Sequence, residues 1–179
     1  MSTNWDKIDE QYQSKYKDYA PEGKHTTHVA AAEYRESSLK KTPGIQFTFE
    51  DNDSYAFPKF GCTHWLSFKN DEWRMHHFKE LMKVLGASEE DARKAVDACE
   101  GKKEQKDICK AYEAVFKKLA DKHPEVEAVV YFRNEDSQYA DVDFADRSVR
   151  MGKPEGKKEE KVEDILADSE EADDLDIPF

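Results

Sequence analysis

The sequence predicts a mainly β domain with a helical insertion, followed by a disordered acidic C-terminal tail. Three observations predict it. Apolar residues alternate with polar ones in IQFTFE and FGCTHWLSFK, the period of a half-buried strand. Between residues of about 70 and 122 the period changes to three or four, that of an amphipathic helix. From Gly152 onward apolar residues become too sparse to pack.

Residues 3–19 are polar, with Trp5, Ile8, Tyr12, Tyr16 and Tyr19 spaced as a helical stripe, so residues 1–20 are expected to form an N-terminal helical segment docked on the domain. Pro21 and Gly23 punctuate. Lys24–Arg35 reads as the first strand, with Thr27, Val29 and Ala31 on one face. Thr42-Pro43-Gly44 is a turn signal, and Ile45–Glu50 follows with Ile45, Phe47 and Phe49 inward. Phe60–Lys69 alternates again, with Phe60, Cys62, Leu66 and Phe68 on one face and Thr63, Trp65, Ser67 and Lys69 on the other.

Asn70 or Asp71 suits the cap of a helix running to about Leu85, with Met75, Phe78, Met82 and Leu85 on its stripe and Gly86 as its stop. Ser88 and Asp91 approximate a capping box for a second helix through Cys99. A third helix spans about Lys103 to Lys122, carrying Ile108, Tyr112, Val115, Phe116 and Leu119. Pro124 marks the return to strands, and Glu125–Asn134 with Gln138–Phe144 reads as a hairpin.

Three strands, helices, then two strands is the order of an OB-fold, a five-stranded Greek-key barrel with its helix between strands 3 and 4 and one sheet face for oligonucleotides. The expected organisation is an N-terminal segment over 1–20, an OB-fold domain over 21–151 with a helical insertion at about 70–122, and a tail over 152–179.

The chain has 179 residues and a net charge of −12. Eleven acidic residues and three lysines from Glu155 to Phe179 put −8 of that charge in the tail. The remainder is nearly balanced, so the acidic total does not exclude a local basic groove for nucleic acid. Cys62, Cys99 and Cys109 are odd in number and lack CxxC spacing, which points to reduced thiols in a cytoplasmic compartment. No apolar run approaches the length of a membrane span, and MSTNWDKIDEQ lacks the apolar stretch of a signal peptide.

The chain ends DDLDIPF, with no basic residue after Lys161. A terminal Phe179 ring suits an apolar pocket, its carboxylate a basic residue, and Pro178 limits the freedom lost on docking. Asp173, Asp174 and Asp176 attract a basic rim, with Ile177 beside the anchor. This end resembles the C-terminal tip of bacterial single-stranded-DNA-binding proteins, which finish in acidic residues and Ile-Pro-Phe. The resemblance implies recruitment of replication, recombination and repair proteins. The stretches APEGKHTTHVAAAEYRES, GIQFTFEDND and WRMHHFKELMKVLGA resemble instead a bacteriophage family of single-stranded-DNA-binding-like proteins with an OB core. The long helical insertion and the lack of a Gly/Gln/Pro-rich linker depart from the bacterial proteins, so their tetramer is not carried over.

Single-strand binders stack bases on aromatics and follow phosphates with Lys and Arg. On faces opposite the expected core, Trp65 and Lys69 share one strand, Tyr131 and Arg133 share another, and Tyr139 opens the last. Tyr34, Arg35, Lys40 and Lys41 lead into the first turn, while Tyr55, Phe57 and Lys59 lie in the next loop. Each aromatic alone also suits packing against a helix. Of these, Trp65 is the best stacking candidate, because its strand neighbours Thr63, Ser67 and Lys69 are polar.

The histidines His25, His28, His64, His76, His77 and His123 form no zinc spacing with a cysteine and are expected to be structural or on the surface. No Walker loop, GxSxG, HExxH or dinucleotide fingerprint occurs. The expectation is therefore a non-enzymatic binder of single-stranded DNA that needs no cofactor or metal and has no membrane partner. Two alternatives stand beside it. One is an interaction protein that mimics the tip to occupy host proteins without binding DNA. The other is a metal-dependent nuclease built on Asp136, Asp141 and Asp143.

Overall fold

In a computed structural model, Asn4, residues 6–8 and residues 17–151 are described. Residues 6–8 are helical. The rest of the expected N-terminal stripe up to Tyr16, and the whole tail with Asp173, Asp174, Asp176, Ile177, Pro178 and Phe179, lie outside the described residues.

Alternating side chains build five strands: β1 (Gly23–Glu36), β2 (Pro43–Phe49), β3 (Cys62–Trp65), β4 (Glu125–Tyr131) and β5 (Asp141–Phe144). They form one antiparallel sheet in the order β3-β2-β1-β4-β5. The long β1 serves both halves of it. Gly23–His28 pairs with β4, and Val29–Glu36 pairs with β2.

Between these halves the register slips, from Val29↔Phe49 to Ala31↔Thr48. An extra residue in one strand shifts every later side chain to the other face and bends the strand. Hence Thr27 and Val29 are buried as expected, but the inward alternation resumes at Ala32 rather than Ala31. The bend curls the sheet, and its two edges, β3 and β5, meet through side chains.

Three helices join β3 to β4: α1 (Asp71–Val84), α2 (Glu89–Glu100) and α3 (Gln105–Ala120). The expected caps are formed. Asn70 Oδ1 accepts from the Trp73 N–H at 2.9 Å, and Ser88 Oγ accepts from the Asp91 N–H at 3.1 Å. At Gly86 a φ of +95° ends the first helical run. The third helix crosses β1 and β2. There Phe47 meets Phe116 and Phe144 edge-on, at 5.3 and 5.4 Å between ring centres. No helix among the described residues is long and apolar enough to cross a membrane.

Three aromatics lie elsewhere than their alternation implied. Phe60, expected inward, is 85 % exposed. The strand starts only at Cys62, and Gly61 turns the chain at φ +57°, where a Cβ would sit 1.7 Å from the Phe47 carbonyl oxygen. Phe57, expected as an exposed loop aromatic, is buried edge-on to His25, and Asp51 Oδ1 accepts its N–H at 3.0 Å. Tyr131, expected on an open face, is buried in a small second cluster with Val129 and Ala145. The run from Ala128 to Tyr131 is covered on both faces, so alternation there carries no inside-outside signal.

Candidate functional site

A cleft of about 490 Å³ opens where the β1–β2 turn, the end of β3 and the first turn of α1 come together. Lys40, Lys41, Thr42 and Pro43 line one side; Trp65, Leu66, Ser67, Phe68 and Lys69 line another; Trp73, Gln105 and Met151 complete it. None of the lining residues is acidic, although the chain as a whole carries −12.

Local chemistry fixes each wall. In the β1–β2 turn, Ser37 accepts the Thr42 N–H on Oγ and donates its own N–H to the Thr42 carbonyl, both at 2.9 Å. The turn holds Lys41 at φ +54° and leaves Lys40 and Lys41 exposed. Trp65 pairs across the sheet with Gly44, and the indole lies over that glycine. A Cβ at position 44 would stand 2.7 Å from Trp65 Cε3, so close approach is the reason for glycine there.

Ser67 and Phe68 are held from behind by the buried Arg74. Its Nη1 donates to the Ser67 carbonyl at 2.7 Å, and its guanidinium lies 4.3 Å from the Phe68 ring centre. Nη1 also donates to Asp71 Oδ1 at 2.9 Å, while Glu100 accepts from Nε at 2.9 Å and Nη2 at 2.6 Å, and from the Tyr112 hydroxyl at 2.7 Å. A forked arginine that donates from all three of its nitrogens is a rigid support. Burial and the Glu100 carboxylate raise the Tyr112 phenol well above its usual range.

Trp73 continues the cleft inward. It stacks on His77 at 4.8 Å with a 7° tilt, and His77 stacks on His64 at 5.3 Å. Burial pushes His77 down to about 3, so its ring is neutral at physiological pH. Behind this stack is a cluster that no spacing in the sequence announces. Cys62, His64 and Asp143 are brought together by β3 and β5, with their donor atoms within 4.8 Å of one another. The sequence offers no zinc spacing here: Cys62 stands only two residues before His64, and the third donor, Asp143, arrives 79 residues later in the chain, which spacing rules cannot see.

Of the expected nucleic-acid residues, the fold gathers Trp65, Lys69, Lys40 and Lys41 in one cleft and adds Trp73. Trp73 lies off the expected apolar stripe of its helix, and that was the available signal. The others lie elsewhere. Tyr34 is half-buried, donating to Glu36 Oε1 at 2.9 Å, and burial and that carboxylate raise its phenol to about 12. Arg35 donates to Gln46 Oε1 at 2.6 Å. Tyr55 packs edge-on to His25, while Lys59 is exposed. Arg133 forks onto Asp141 at 2.6 and 3.3 Å, and Tyr139 is exposed. The Asp141 and Asp143 carboxylates are thus engaged by different partners, the latter accepting the Met151 and Phe144 N–H groups at 2.8 and 2.7 Å.

Compared with known proteins, the chain matches no family model, and no curated protein or solved structure is significantly similar to it.

Proposed function

We propose that this protein binds single-stranded DNA in the Trp65–Trp73 cleft, with little base preference, and recruits replication, recombination or repair proteins through its DDLDIPF end. The observation that carries the reading is one cleft lined by two indoles and three lysines with no acid among its lining residues. Indoles accept any base by stacking, at about 1–3 kcal/mol per base, and lysines on both sides follow the phosphates. The strand order supports a partly open OB-type barrel, with β3 and β5 as the edges that approach each other and the cleft beside β2 and β3. Oligonucleotides use that face in barrels of this type.

Titration with unstructured oligothymidylate, followed by tryptophan fluorescence, tests it. Expected are quenching and an affinity whose logarithm falls with log salt at about −0.7 per phosphate neutralised. Trp65→Ala is expected to lose about 1–3 kcal/mol of binding with the fold intact. A preference for duplex DNA, or binding insensitive to salt, overturns the reading.

A further inference from the structure

We propose that Cys62, His64 and Asp143 bind a zinc-class divalent metal ion that ties the two edge strands of the sheet together. The donor types carry the first part of the argument. Thiolate, imidazole and carboxylate are zinc's protein ligands, and bond lengths of about 2.0–2.3 Å in a tetrahedron place such donors about 3.3–3.6 Å apart. Cys62 Sγ lies 3.5 Å from His64 Nε2, and Asp143 Oδ1 lies 3.2 Å from the same nitrogen.

Orientation carries the second part. In a Cys-His-Asp proton relay, thiol and carboxylate address opposite nitrogens of the imidazole. Here both address Nε2, while Nδ1 faces His77 Nε2 at 3.0 Å. The arrangement converges on one point, and a ligating histidine with its other nitrogen hydrogen-bonded is the usual way such a ring is held. Asp143 is held likewise. Its Oδ2 accepts the Met151 N–H at 2.8 Å and its Oδ1 the Phe144 N–H at 2.7 Å.

Place carries the third part. His64 and Asp143 are buried, and they stand on β3 and β5, which share no backbone ladder. An ion there supplies the link that the ladder does not. On binding, the Cys62 thiol proton passes to solvent as the metal–sulfur bond forms. The metal-free alternative is a hydrogen bond from His64 Nε2–H to Asp143, and it predicts no metal uptake.

Metal analysis and cobalt titration of the full chain, kept reduced, distinguish the two without using DNA binding. About one equivalent of zinc per chain is expected after purification without chelator. After zinc removal, Co²⁺ is expected to restore one equivalent with the visible bands of a tetrahedral ion and a thiolate-to-cobalt charge-transfer band. Cys62→Ser is expected to abolish that charge-transfer band, whereas Cys99→Ser and His123→Ala leave it unchanged. A native chain that retains no zinc and gives no thiolate–cobalt band overturns the proposal. A thiolate band that survives Cys62→Ser also overturns it.

Discussion

Trp65 and Gly44 act as one unit, since the indole occupies the space that any side chain at position 44 would need. Gly44→Ala places a methyl group 2.7 Å from Trp65 Cε3 and 3.1 Å from the His64 carbonyl oxygen, so the indole must move. Overpacking of this kind costs about 1–3 kcal/mol of stability. Oligothymidylate affinity is expected to fall toward that of Trp65→Ala, and Gly44→Ala is expected to add little in a Trp65→Ala background. That coupling is what a double-mutant cycle measures, and additive losses would mean that the glycine acts elsewhere. Trp65 was legible in the sequence because its strand neighbours are polar, and the fold leaves it at a cleft. Phe57 and Tyr131 were not legible. Phe57 is covered by His25 and Tyr131 by the packing of β4 on both faces with Ala145, contacts that no local pattern announces. The same holds for His64, whose partners His77 and Asp143 come from a helix and a strand other than its own.

Helix ends were the most legible elements, because caps are local chemistry. Asn70, Ser88 and Gly86 each act where the sequence put them. The bulge in β1 was not legible, since nothing in HVAAAEY marks which alanine is the extra one. The junction of α1 and α2 has its own electrostatic clasp. Glu89 meets Lys83 at 2.7 Å, Arg93 at 2.8 Å and Lys79 at 3.1 Å. Those hydrogen bonds, Lys83 first, hold its carboxyl down to about 2, against 4.5 ordinarily. A carboxyl lowered in the folded state stabilises above its unfolded value and loses that contribution as pH falls through the folded one. The clasp therefore weakens between pH 4.5 and about 2. Glu89→Gln is expected to flatten this part of the acid limb in thermal melts at low salt. High salt shrinks the difference, because these side chains are partly exposed. An identical acid limb for the variant would show that the clasp contributes nothing.

At the scale of the whole molecule, the proposed function implies that two ligands compete for one cleft. Met151, the last described residue, lines the cleft, and the acidic sequence follows it in the chain. From Val162 to Phe179 the sequence carries eight acidic residues and no basic one, a charge opposite in sign to that of the lysines at 40, 41 and 69. A tethered polyanion visits a nearby cationic site at high effective concentration and competes with phosphates for it. On the proposed function, DNA that wins the cleft is expected to free the DDLDIPF end for partners and so couple strand occupancy to recruitment. Deleting residues 162–179 is therefore expected to tighten oligothymidylate binding, most at low ionic strength, where charge is least screened. Removing Phe179 alone deletes the aromatic anchor but little charge. It is expected to leave DNA affinity nearly unchanged while abolishing capture of replication or repair proteins. Titration of both variants at two salt concentrations separates these effects. If the truncated chain binds no more tightly than the intact one at low salt, the tail does not compete for the cleft, and recruitment is independent of DNA.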